Sequence, residues 1–68
     1  MSKRSLTIAG HRTSISLEDQ FWEALADMAS AEGLSLAALV ARIDRERPAA
    51  VNLSAAIRVA LLGWSRSR

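Results

Sequence analysis

A mainly α-helical fold with one short N-terminal strand, completed by a second copy of the same chain, is what the sequence predicts. Three observations predict it. First, the run Arg12-Thr13-Ser14-Ile15-Ser16-Leu17 alternates: Thr13, Ile15 and Leu17 fall on one side of an extended backbone, Arg12, Ser14 and Ser16 on the other. Second, nothing after Leu17 reads as a strand; apolar residues recur there at helical spacing in three blocks. Third, the chain has 68 residues, no cysteine and a single histidine, His11. A domain of that length buries only about 60% of its unfolded surface and needs outside support. Disulfides and zinc frameworks are excluded, which leaves oligomerisation. A lone strand exposes a row of unpaired N–H and C=O groups, and the cheapest partner is the same strand from a second copy across a two-fold axis.

Residues 1–11 carry a weaker alternation, with Leu6 and Ile8 apolar and Ser5 and Thr7 polar. Apolar positions are even-numbered before Gly10 and odd-numbered after it, so Gly10 marks a bulge, bend or break. The strand is expected over 12–17, and the segment before it is read as a basic arm that either extends the ribbon or wraps onto the body. The first helix is expected over 17–32. Ser16 suits its N-cap, Asp19 stands at the acid position of a capping box, and Glu18 and Asp19 suit the positive end of the dipole. Leu17, Phe21, Leu25 and Met28 form its apolar stripe, widened by Trp22 and Ala29, and Gly33 stops it as a C′ glycine. Ser35 caps a second helix over 35–47 whose buried stripe is Leu36, Leu39, Val40 and Ile43. Pro48 ends it, because the residue before a proline avoids helical geometry. Arg42, Arg45 and Arg47 lie toward its negative end. After a short linker, Asn52 or Ser54 caps a third helix over 53–64, with Leu53, Ile57, Ala60, Leu61 and Trp64 on its apolar side and Leu62 off it. The chain thus divides into an arm (1–11), a core (12–47), and a linker with an additional C-terminal helix (48–68).

Net charge is only +2, but its distribution is uneven. Lys3, Arg4, His11 and Arg12 precede the first helix with no acid among them, whereas Glu18, Asp19, Glu23, Asp27 and Glu32 follow with no base. That asymmetry fits either an anion-binding edge or a solvated terminus beside a helix charged for solubility. No segment approaches the roughly 20 apolar residues of a membrane span. Lys3 and Arg4 are not followed by an apolar stretch, so no secretory signal is expected and the cytoplasm is the expected setting. Catalysis is not expected: His11 has no cysteine and no close carboxylate, and the glycines are too scattered for a phosphate loop. No metal or cofactor is expected. Trp22 and Trp64 sit at helical spacing with Leu and Ile, which favours core or interface over base stacking.

The block Arg12 to Leu17, a helix, and then Gly33-Leu34-Ser35 opening a second helix resembles the ribbon-helix-helix DNA-binding domains of bacterial and phage repressors. The Lys3-Arg4-Ser5 start, the Gly10 to Ser14 segment and the Asn52-Leu53-Ser54 helix resemble a proteobacterial subgroup with an extra C-terminal helix. The resemblance implies a homodimer whose strands pair antiparallel over a shared core that includes Thr13, Ile15, Leu17, Phe21, Leu25, Leu39, Val40 and Ile43. It implies a transcriptional regulator that inserts the ribbon into the major groove of double-stranded DNA, with Arg12, Ser14 and Ser16 toward the bases. It also implies a phosphate held by Ser35 and Leu36 at the start of the second helix, where free N–H groups meet the dipole. Lys3, Arg4 and His11 would add backbone contacts, or else belong to a solvated terminus. The third helix either enlarges the core or offers Leu61, Leu62 and Trp64 to a protein partner, as in an antitoxin-like binder, an adaptor or a higher oligomer.

Overall fold

The structure is a computed structural model and describes residues 1–67. Two strands, β1 (Ser2–Ile8) and β2 (His11–Leu17), are followed by three helices, α1 (Asp19–Ala31), α2 (Leu36–Glu46) and α3 (Leu53–Arg66). The segment expected to be an arm is therefore a strand. β1 pairs antiparallel with β2 of the same chain over its whole length, from Ser2 opposite Leu17 to Ile8 opposite His11. A strand without an in-chain partner was the reason to expect a second copy at the ribbon. In this chain β1 occupies one edge of β2.

The turn explains the change of parity. Ala9 and Gly10 form a two-residue loop with φ +51° and +82°, and positive φ at both central residues is what a type I′ hairpin turn needs. Such a loop places every even-numbered residue of β1 opposite an odd-numbered residue of β2. Leu6 and Ile8 thus share a face with Thr13, Ile15 and Leu17, because directly opposed residues point the same way. One apolar face results, with Ile8, Ile15 and Leu17 buried.

Helix ends follow local chemistry with one exception. Leu34 N–H reaches Ala29 C=O at 2.9 Å and Gly33 N–H reaches Ser30 C=O at 3.2 Å, with Gly33 at φ +69°. That is a Schellman stop. Ser35 Oγ accepts from Ala38 N–H at 3.1 Å and Asn52 Oδ1 accepts from Ala55 N–H at 2.9 Å, so both later caps are as expected and Asn52 takes the role over Ser54. The exception is α1. Ser16 and Leu17 stay in the ladder, and Glu18 is the N-cap without a side-chain capping bond. Pairing with β1 holds the backbone extended to Leu17, which outweighs the local capping signal. α1 and α2 meet at 97° across the glycine turn.

The core lies between the inner hairpin face and all three helices. Leu17, Leu25, Leu39, Val40 and Ile57 are fully buried and Trp22 is 2% exposed. Of the eight residues expected in a shared core, Ile15, Leu17, Leu25, Leu39, Val40 and Ile43 are buried within one chain, and Thr13 and Phe21 are half-buried. The third helix enlarges this core through Ala56, Ile57 and Leu61. Ser54 Oγ, on its first turn, donates to Ser16 C=O at 3.2 Å, and Arg58 donates to Glu18 from Nε (3.0 Å) and Nη2 (2.8 Å). Arg47 fastens the linker by donating to Asp44 and to Val51 C=O, each at 2.7 Å.

Trp22 docks the hairpin on α1. Its indole Nε1–H donates to Ser2 C=O at 2.9 Å, and the Arg4 guanidinium lies 4.8 Å from its ring centroid. The Ser2 hydroxyl also donates to the Asp19 carboxylate. No single helix among the described residues is long and apolar enough to cross a membrane.

Candidate nucleic-acid interface

The register fixes which side chains share the outer face of the hairpin. Lys3 stands opposite Ser16, Ser5 opposite Ser14 and Thr7 opposite Arg12. These six residues alternate with the core-facing ones and so project away from the helices. All are exposed except Ser16, which is half-buried. Arg12, Ser14 and Ser16 were expected on this face from their alternation alone. Ser5 and Thr7 join them through the register, and Lys3 moves from an arm onto the same face. The signal for all three was the parity change across an Ala-Gly pair.

Every side chain on this face can hydrogen-bond and none is acidic. Ser5 and Ser14 hydroxyls lie 3.4 Å apart, and either can be the donor. Lys3 and Arg12 form no ion pair among the described residues, in contrast to Arg42 with Glu32 (2.5 Å), Arg47 with Asp44 and Arg58 with Glu18. Two strands of seven residues make a ribbon about 23 Å long and about 5 Å between strand axes. The major groove of B-form DNA, about 12 Å wide, admits such a ribbon.

The other residues expected at the interface separate. Arg4 is on the inner face, opposite Ile15, and lies over Trp22. His11 faces Ile8 across the tip of the hairpin, in the inner register, and is exposed. Ser35 is exposed at the start of α2. Its hydroxyl satisfies Ala38 N–H, so the N–H groups of Leu36 and Ala37 are left to point outward from the helix end.

Along α1 the charge has the opposite sign. Asp19, Glu23 and Asp27 recur every four residues along α1 and are all exposed, which puts them on one side of the helix. Two other carboxylates, Glu18 and Glu32, are held in their charged form. Glu18 is pulled below the ordinary carboxylate range by its own backbone N–H and then by Arg58. Glu32 is lowered by its hydrogen bond to Arg42, whose own pKa is raised in return. A polyanion therefore meets attraction at the hairpin and repulsion along α1. Among the described residues no three His, Cys, Asp or Glu side chains gather as metal ligands.

A family model described as Ribbon-helix-helix domain matches residues 1–65. No curated protein and no solved structure matches the chain.

Proposed function

The chain belongs to the ribbon-helix-helix domain family, whose members are typically DNA-binding regulators that dimerise, and on that premise we propose that it is a homodimeric regulator that reads double-stranded DNA with the outer face of its β1–β2 hairpin. The observation that carries this reading is the exposed, acid-free row of Lys3, Ser5, Thr7, Arg12, Ser14 and Ser16 on a ribbon of groove dimensions. Arg12 supplies the specific contact, since its planar fork matches guanine O6 and N7. The hydroxyls tolerate several bases because each donates or accepts. Lys3, the start of α2 at Ser35 and Leu36, and His11 at the hairpin tip bind phosphates and set the register. Arg4 supports the face from behind through Trp22 and makes no DNA contact.

Selection from a random duplex pool, followed by anisotropy titrations at several salt concentrations, tests this. Arg12→Ala should weaken the preferred duplex by about 10- to 100-fold, from the 1–3 kcal/mol of a bidentate contact, and non-preferred duplexes far less. Lys3→Ala should weaken all duplexes alike and flatten the salt dependence by about 0.9 logarithmic units per chain. An unchanged preference in Arg12→Ala, or no binding at low salt by a folded protein, would reject the reading. The second reading, a protein-interaction module that uses the third helix, draws on the exposed Val59 and Leu62 of α3.

A further inference from the structure

α1 and α3 both tie the hairpin down at its open end, away from the turn. On the β1 side, Trp22 reaches Ser2 C=O and the Ser2 hydroxyl reaches Asp19. On the β2 side the ties come from α3. Ser54 Oγ donates to Ser16 C=O at 3.2 Å. Two residues on, Glu18 turns the chain from β2 into α1, and Arg58 holds its carboxylate from Nε and Nη2 at 3.0 and 2.8 Å. The same guanidinium lies 5.7 Å from the ring centroid of Phe21. Ser54 and Arg58 are four residues apart, so one side of α3 makes both contacts. The bond to Ser16 takes nothing from the ladder. A two-residue turn puts the N–H and C=O of Arg12, Ser14 and Ser16 on the edge that faces away from β1.

Counted from the open end, Lys3 and Ser16 are the first pair of the outer face, and Arg12 belongs to the last. Four residues of strand put Ser16 and Arg12 about 13 Å apart. A swing of about 5° at the open end therefore moves Arg12 by about 1 Å, and a bidentate hydrogen bond weakens steeply with such an error. We propose that Ser54 and Arg58 are positioning residues for DNA reading: through Ser16 and Glu18 they hold the hairpin in the pose that lets Arg12 reach its base, and so set sequence preference without touching DNA. This rests on the duplex reading proposed above and gives the third helix a part in it. The start of α2, which binds phosphate in that reading, belongs to the helical body, so the hairpin must keep one pose against the body for base and phosphate contacts to fall in register. The Arg58 charge is paired with Glu18. The pair adds no net charge, and removing both members leaves phosphate attraction as it was.

Anisotropy titrations with the selected duplex and a scrambled one, on the full chain well below its melting midpoint, test this. Glu18→Gln with Arg58→Met removes one charge of each sign and leaves the net charge at +2. Preference, the ratio of the two dissociation constants, should fall about 10-fold, part of what the Arg12 contact contributes. Affinity for the scrambled duplex should stay within about two-fold, with the salt dependence unchanged. Ser54→Ala should lower the preference too, and Ser54→Thr, which keeps the hydroxyl, should retain it. Arg12→Ala added to the double variant should cost little more, because both changes remove the same contact. An unchanged preference in the folded double variant, or an Arg12→Ala loss that multiplies with it in full, overturns the proposal. Amide exchange in the free protein reads the clamp without DNA. Leu17, in the last rung of the ladder, should exchange about 10-fold faster in the double variant, and Thr13 at its wild-type rate. Unchanged exchange at Leu17 also overturns the proposal. A wild type that prefers no duplex rejects the proposed function, and the clamp then stands or falls on Leu17.

Discussion

Replacing Trp22 with phenylalanine should release the hairpin from α1, and three losses set the size of the effect. The indole N–H that reaches Ser2 C=O at 2.9 Å disappears, which costs about 1 kcal/mol for a part-buried hydrogen bond. Trp22 is 2% exposed, and shrinking it to a single ring leaves a cavity worth roughly 1–2 kcal/mol on the scale of large-to-small core changes. The Arg4 guanidinium, 4.8 Å from the ring centroid, keeps an aromatic partner but a weaker one, for a few tenths of a kcal/mol. The sum is about 2–3 kcal/mol, a large part of what a domain of this size possesses. At about 4–8 °C per kcal/mol for small domains, the melting midpoint should fall by about 10–20 °C. Thermal unfolding followed by circular dichroism measures it. A double-mutant cycle with Arg4→Ala should give a positive coupling of about 0.5 kcal/mol. A Trp22→Phe variant that melts within about 3 °C of the wild type, or a coupling of zero, would refute the docking of β1 and return residues 2–8 to the status of an arm.

The remaining predictions concern the turn and two carboxylates. Ala9→Gly relieves a left-handed residue at φ +51°, worth about 1–2 kcal/mol, against a glycine entropy cost of roughly 0.5–1 kcal/mol. The net should be a small rise in the urea midpoint, and a fall would place the strain elsewhere. Glu18 and Glu32 have pKa values lowered in the folded chain, so the unfolded state binds more protons between their folded and unfolded values. Stability is therefore full at neutral pH and lost as acid takes the pH through the lowered values. Melting midpoints from pH 7 to pH 3 should fall less steeply in the Arg42→Met, Arg58→Met double variant, and parallel curves would deny those pairs their role.

What could be read from the sequence was local. Ser35, Asn52 and Gly33 act within three or four residues of themselves, so caps and stops were visible without the fold, as were the apolar stripes of α2 and α3. What could not be read was long-range. Trp22 to Ser2, Arg58 to Glu18 and Ser54 to Ser16 span 20, 40 and 38 residues. Arg4 illustrates the consequence for the site: charge alone grouped it with Lys3 and Arg12, and only the register sends it to the opposite face. Ser16 failed as a helix cap for a related reason, because the pairing of Leu17 with Ser2 keeps the chain extended past it. The parity change at Gly10 fits a bulge, bend or break, and it becomes the junction of two strands only when Ala9-Gly10 is a complete turn, which positive φ at both residues makes it.

The hydroxyl pair at Ser5 and Ser14 bears on how much a single hairpin can encode. Their 3.4 Å contact has no fixed polarity, and Thr7 and Ser16 are equally reversible. Only Lys3 and Arg12 present donors that cannot become acceptors. The outer face thus has a fixed donor at two points, and its four hydroxyls take their polarity from whatever surface they meet. Under the proposed function, a reader of that kind would settle on short, degenerate words, and its vocabulary would grow by repetition along a duplex rather than by sharpening any one contact.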